Sequence, residues 1–220
     1  MKCIFVLLAF IAPFCTIAQS AETAPIAEKK LYVGASLNTV SYMMGYKHGR
    51  VSGSIEPIIT LHAGYQLTRR LSVQIGAGYD KDKENFAQEG YEYEGDTELT
   101  RWNQYNTAKG LATPVSFYFT PFNPNRKLQL YATASVVPVF GSVKFKHVKS
   151  KGGATDILFE DDASGMNLFF TAGLMFKYKI NDRLEGYLEG NLIYKDLLQR
   201  NNYADSNPKS IGAGLNYKLQ

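Results

Sequence analysis

Leu71-Ser-Val-Gln-Ile-Gly-Ala-Gly-Tyr79 alternates apolar residues with small or polar ones without a break. In an extended chain successive side chains point to opposite faces. Leu71, Val73, Ile75, Ala77 and Tyr79 therefore share one face, and Ser72, Gln74, Gly76 and Gly78 the other. The same period recurs along the chain. From Asn167 to Ile180, Leu168, Phe170, Ala172, Leu174, Phe176, Tyr178 and Ile180 form one face, opposite Thr171, Gly173, Lys177 and Lys179. From Leu184 to Tyr194, Leu184, Leu188, Leu192 and Tyr194 oppose Glu185, Tyr187, Glu189 and Asn191.

The pattern predicts about eight strands, near 31–43, 55–67, 71–80, 110–120, 128–140, 166–180, 184–195 and 209–219. Most run ten residues or more. Globular strands average about 5–6 residues, whereas a strand crossing a bilayer needs about 9–11. The connections alternate in length. Short ones fall at 68–70, 121–127 and 181–183, and long ones at 44–54, 81–109, 141–165 and 196–208. Such sorting puts every short turn at one end of the sheet and every long loop at the other. That arrangement belongs to a closed, antiparallel, up-and-down transmembrane β-barrel, with short periplasmic turns and longer outer loops.

Residues 1–18 form a separate object. Lys2 precedes an apolar run from Ile4 to Ile11, and Thr16-Ile17-Ala18 offers the small residues of a cleavage site. This reads as a secretory signal peptide, followed by a short periplasmic segment at 19–30 and the barrel domain at 31–220. A lipoprotein anchor at Cys15 is disfavoured by Pro13 and Phe14 ahead of it. Cys3 and Cys15 both fall inside the leader, so the mature chain carries no disulfide. The formal charge of +4 is too mild to indicate nucleic acid. After residue 18 no apolar stretch approaches the ~20 residues of a spanning helix. Aromatic residues gather at strand ends: Phe117, Phe119 and Phe122 at one turn, Phe176 and Tyr178 at another, and Tyr217 near the C-terminus. Such clustering suits an interfacial girdle.

With these features the chain resembles the small outer-membrane barrels of the OmpA/OmpX type and the porin-family barrels of Bacteroidota. The ending Gly214-Leu-Asn-Tyr217-Lys-Leu219 is similar to the pattern that such barrels present to the outer-membrane insertion machinery, although it closes on Gln220. The resemblance implies fold and location and says little about activity.

Candidate chemistry is sparse. Glu56, His62, Gln74, Lys177, Lys179, Glu185 and Glu189 are assigned to the barrel interior as a structural polar network. The three-residue turn at 181–183 brings Lys177 and Lys179 near Glu185 and Glu189 across a hairpin. An acidic stretch carries Asp80, Asp82, Glu84, Glu89, Glu92, Glu94, Asp96 and Glu98; its spacing matches no calcium loop. Lys144, Lys146, His147, Lys149 and Lys151 offer contact with lipopolysaccharide phosphates. His147, Ser150 and Glu160 are the only set to consider for a lipid-modifying hydrolase, and their spacing does not match one. Three histidines and no mature cysteine argue against zinc, and no glycine-rich phosphate loop points to a cofactor.

The expected function is a non-enzymatic outer-membrane barrel, monomeric, with a structural or surface-interaction role. The rival readings are a small pore, a soluble lipocalin-like ligand-binding barrel and a lipid A-modifying enzyme. The discriminator between membrane and soluble barrels is the face that carries the apolar residues. Sequence supplies the alternation but not its sign.

Overall fold

The computed structural model describes residues 31–47, 51–93, 96–123, 126–198 and 210–219; the leader, its cleavage site and the 19–30 segment lie outside them. The described chain is almost entirely antiparallel β-structure. Its strands are β1 (Leu31–Asn38), β2 (Tyr42–Tyr46), β3 (Val51–Ile55), β4 (Ile59–Gln66), β5 (Leu71–Gly90), β6 (Thr100–Ala112), β7 (Val115–Phe119), β8 (Leu128–Lys151), β9 (Ala154–Lys179), β10 (Leu184–Asp196) and β11 (Ser210–Lys218).

The ring closes through β1, which pairs β4 on one side and β11 on the other. Around it follow β4, β5, the broken strand β6/β7, β8, β9, β10 and β11. The break between β6 and β7 falls at Thr113-Pro114, where proline has no N–H to donate. Counting β6/β7 as one, the ring has the eight members and the up-and-down order that the alternation predicts. It also settles the sign of the alternation. Leu61 is 63% exposed, Ile75 59% and Ile211 62%, all on the outer wall. Ser72, Gln74, Ser116, Thr133, Ser135 and Asn216 are buried on the inner one. A soluble barrel with an apolar interior is therefore overturned: the apolar face is the outside.

The inner wall is built from tyrosines seated on glycines. Tyr32 lies directly opposite Gly64, and Tyr187 directly opposite Gly214. A Cβ added at either glycine would overlap the facing tyrosine ring. The missing side chain on one strand makes room for the ring of the next, which is how a barrel this narrow is filled.

Three expectations are corrected. The first strand does not continue to residue 43. It stops at Asn38, whose side chain donates to the Ser36 and Thr60 hydroxyls at 2.9 and 3.3 Å, and the chain then turns into the lumen. The segment 44–54, expected as an outer loop, contributes to a hairpin, β2–β3, which pairs with itself and not with the ring. Second, most of 81–109 and nearly all of 141–165 is strand and not loop. Strands β5, β6, β8 and β9 run on past the apolar belt as a four-stranded ribbon. The 24 residues of β8 extend about 80 Å at ~3.3 Å per residue. The β8–β9 turn is the two-residue Gly152-Gly153, both with positive φ (58° and 82°), as a type I′ hairpin requires. Third, Tyr194 does not face outward with Leu184 and Leu188. Register shifts between Asn191 and Ile193, so Leu192 is the extra residue of a bulge and Tyr194 turns inward.

Gly64→Val should lower unfolding stability in detergent by about 1–3 kcal/mol through overpacking against Tyr32. Adding Tyr32→Ala should recover part of that loss, measured by urea titration of the single and double variants.

Candidate functional site

The lumen is occupied from end to end by two different fillings. At the long-strand end the filling is the β2–β3 hairpin. Met44, Val51 and Ile55 are fully buried against Ala108, Val139, Val143 and Phe169 of the wall. The hairpin is thin because Gly45, Ser52, Gly53 and Ser54 make up much of it. Polar contacts hold it in place. Tyr46 donates its hydroxyl to the Gly141 carbonyl at 2.9 Å, and Asn106 Nδ2 donates to the Ser52 carbonyl at 3.2 Å. Lys47 pairs with Asp161 at the hairpin tip. Tyr194, delivered by the bulge, stacks at 5.4 Å on Phe169, which packs at the same distance on Tyr42.

At the short-turn end the filling is polar. Glu185 is the hub: Lys177 Nζ lies 3.5 Å from Oε2, and Lys218 pairs with Oε1. Lys177 is 6% exposed and Glu185 4%. The Lys177 ammonium also stands 4.9 Å from the centroid of the Tyr131 ring and 5.7 Å from that of Tyr32. Tyr131 donates to Gln129 Oε1 at 2.7 Å, and Tyr32 to Gln74 Oε1 at 3.3 Å. His62 Nε2 and Asn216 Oδ1 are 2.7 Å apart. A cavity of about 40 Å³ remains, lined by Arg70, Gln129, Lys177, Lys179, Glu185 and Lys218 among others. That volume is room for a few water molecules.

Of the seven residues assigned to the interior network, His62, Gln74, Lys177 and Glu185 are buried on the inner wall. Lys179 is half-buried and lines the cavity. Glu189 is inward but stands in the tyrosine layer beyond the hub, opposite Met175 in the hairpin register, and meets neither lysine. Glu56 is a correction. It is exposed and lies between β3 and β4, where the chain leaves the hairpin, and its N–H donates to Asp80 Oδ2 at 2.7 Å. Gly214, read with Tyr217 and Leu219 as an insertion signal, is the inward seat of Tyr187; Tyr217 and Leu219 lie on the exposed face.

On the ribbon, alternation sorts charges that the linear sequence mixes. Asp80-Lys-Asp-Lys-Glu84 places Asp80, Asp82 and Glu84 on the face continuous with the inner wall. Lys81 and Lys83 fall on the face continuous with the apolar belt. The lysines of 144–151 also divide. Lys149 bonds Glu92 at 2.5 Å and Lys151 bonds Asp96 at 2.7 Å, clipping the β5–β6 connection onto the inner face. The hydrogen bond from Lys151 holds the Asp96 carboxyl below the usual aspartate range, and the same bond raises Lys151. Lys144 and Lys146 lie on the outer face and share Glu160 at 2.8 and 3.3 Å. The hydrolase set does not assemble: His147 is one residue out of phase with Lys146 and so points away from the face that carries Glu160. Among the described residues no three His, Cys, Asp or Glu side chains converge to hold a metal.

Sequence reasoning missed the lumen hairpin and the inward Tyr194. The ribbon was missed too, although Gly152-Gly153 is a hairpin signal that could have found it. The bulge at Leu192 leaves no such mark.

The family profile described as outer membrane protein beta-barrel domain matches residues 6–218. No curated protein matches. Among solved structures, Ail of Yersinia pestis is 15% identical, with 87% of this chain and 97% of that one covered and a TM-score of 0.39. The N-terminal β-barrel domain of Pseudomonas aeruginosa OprF is 11% identical, with 86% and 97% covered and a TM-score of 0.38. A major outer membrane protein of Thermus thermophilus is 13% identical, with 87% and 100% covered and a TM-score of 0.43.

Glu185→Ala should cost about 3–5 kcal/mol, because it strands the buried Lys177 charge. Adding Lys177→Met should cost much less than the sum of the two single losses. Urea unfolding of all four forms in detergent checks the coupling; additive losses under about 0.5 kcal/mol each would mark both residues as solvated.

Proposed function

The chain belongs to the family of outer membrane protein β-barrel domains, and from that premise we propose that it is a non-enzymatic, non-conducting barrel that holds a rigid β-ribbon outside the cell for surface interaction. The observation that carries this reading is the contrast between the two parts. The lumen is closed twice, by the apolar hairpin at one end and the Glu185 hub at the other. Four of the ring's strands meanwhile continue well past the belt. A transporter would leave a path; a lipid-modifying enzyme would gather acid, base and nucleophile near the membrane plane. This chain instead invests its length in an exposed scaffold.

In this reading the leader at 1–18 is removed on export, and the short turns at 68–70 and 181–183 face the periplasm. The insertion machinery recognises the end of the chain through Tyr217 and Leu219. The barrel is a monomer, since a closed ring leaves no unpaired strand edge within the bilayer. Its surroundings are outer-membrane lipid, including lipopolysaccharide.

Purified protein in planar bilayers should give no stable conductance steps; large steady steps would refute the sealed lumen. Orientation is open to cysteine labelling, because the mature chain has no cysteine of its own. Thr155→Cys at the ribbon tip should react with an impermeant maleimide on intact cells, and Asp182→Cys should react only after lysis. The reverse pattern would invert the topology.

A further inference from the structure

From the register of the ribbon we infer that Lys81, Lys83 and Lys109 hold the phosphate groups of the outer-leaflet glycolipid, whose acyl chains lie on the apolar row directly beneath. The inference rests on the membrane reading above and adds a defined lipid site to it.

The apolar belt has a sharp upper edge on these strands. Tyr79 pairs with Leu111, Leu111 with Phe140, and Phe140 with Met166, so four exposed apolar side chains form one row across β5, β6, β8 and β9. On β8 the outward run from Leu128 to Phe140 covers about 40 Å along the strand. With a tilt near 40° that spans about 30 Å of membrane, the thickness of a hydrocarbon core. One pair further out, on the same face, Lys81 stands opposite Lys109. Their Cα atoms are neighbours at about 5 Å. Lys83 follows two residues on, opposite Thr107 and in line with Lys144.

Two like charges directly opposite on adjacent strands destabilise a sheet unless something anionic lies between or beside them. The ribbon's other lysines are supplied with carboxylates: Lys144 and Lys146 by Glu160, Lys149 and Lys151 by Glu92 and Asp96. Among the described residues, Lys81, Lys83 and Lys109 make no such pair. Their nearest acids along the chain, Asp80, Asp82 and Glu84, are turned to the opposite face by the alternation. The three lysines therefore share one face, within two residues of one another along the strands and one step above the acyl region, with no ion pair to a described carboxylate. Phosphate on a lipid anchored at that depth supplies the missing charge, and the row Tyr79–Leu111–Phe140–Met166 supplies the surface for its chains.

The test is binding of bis-phosphorylated lipid A to the detergent-solubilised barrel, read by native mass spectrometry. Dephosphorylated lipid A and inorganic phosphate alone form the comparison arms. Folding of every variant is scored in the same samples by heat-modifiable gel mobility, so a failed barrel is told apart from a failed site. The wild type should bind the bis-phosphorylated lipid at least about tenfold more tightly than the dephosphorylated one, with roughly fivefold lost per lysine removed. Lys81→Gln/Lys83→Gln/Lys109→Gln should lose that preference, and Lys149→Gln/Lys151→Gln on the other face should retain it. Should the triple variant not fold, Lys81→Gln and Lys109→Gln singly should each show the fivefold loss. Wild-type affinity in the folded triple or single variants, equal binding of the dephosphorylated lipid, or equal loss in the inner-face variant would overturn the site. Binding of inorganic phosphate as tight as that of the lipid would replace it with a free-anion site.

Discussion

In hydrocarbon no water is available to a backbone N–H or C=O, so each must find its partner within the protein. For β-structure the solution is a closed ring, and closure here falls on β1, the eight-residue strand that joins β4 to β11. Everything else follows from keeping that ring closed and filled. Eight strands set a lumen narrow enough for side chains to occupy it. Seating Tyr32 over Gly64 and Tyr187 over Gly214 lets large rings lie across it without forcing the wall apart.

The filling changes character along the barrel axis. The Glu185 hub is polar and is satisfied by charge, with Lys177 and Lys218 on the carboxylate and tyrosine rings around the Lys177 ammonium. Burying such charges is costly unless each is paired, and here each has a partner. The hairpin end is apolar and is satisfied by packing, with a few hydrogen bonds from Tyr46 and Asn106 to orient it.

Beyond the belt the constraint changes. Water now solvates the outer surfaces, and the ribbon is held by its ladder and by ion pairs on both faces. Period-two alternation continues, but its chemical meaning shifts at Tyr79. Below that residue it separates lipid from lumen; just above it, on β5, it sorts Lys81 and Lys83 from Asp80, Asp82 and Glu84. One repeat thus continues from the apolar belt into the ribbon, with β5 paired to β6 throughout.

Alternation and segment length, read from residues such as Leu71–Tyr79, were enough for the strand count, the up-and-down order and the positions of the short turns, because these are local properties of period and turn chemistry. His62, Gln74, Lys177 and Glu185 were legible as lumen residues for the same reason. The sign of the faces was not local: only ring closure decided that Leu61 and Ile211 look outward. The lumen hairpin was hidden because Tyr42–Ile55 is rich in Gly and Ser and its apolar residues pack on walls distant in sequence, Val139 and Phe169 among them. Tyr194 was misread because one inserted residue at Leu192 reverses every face after it. Glu189 was misplaced because the turn fixes only the register: Lys177 stands opposite Tyr187, diagonal to both Glu185 and Glu189, and its side chain goes to Glu185. Where a property rests on neighbours along the chain, the residues announced it; where it rests on which distant strand lies opposite, tertiary structure alone could supply it.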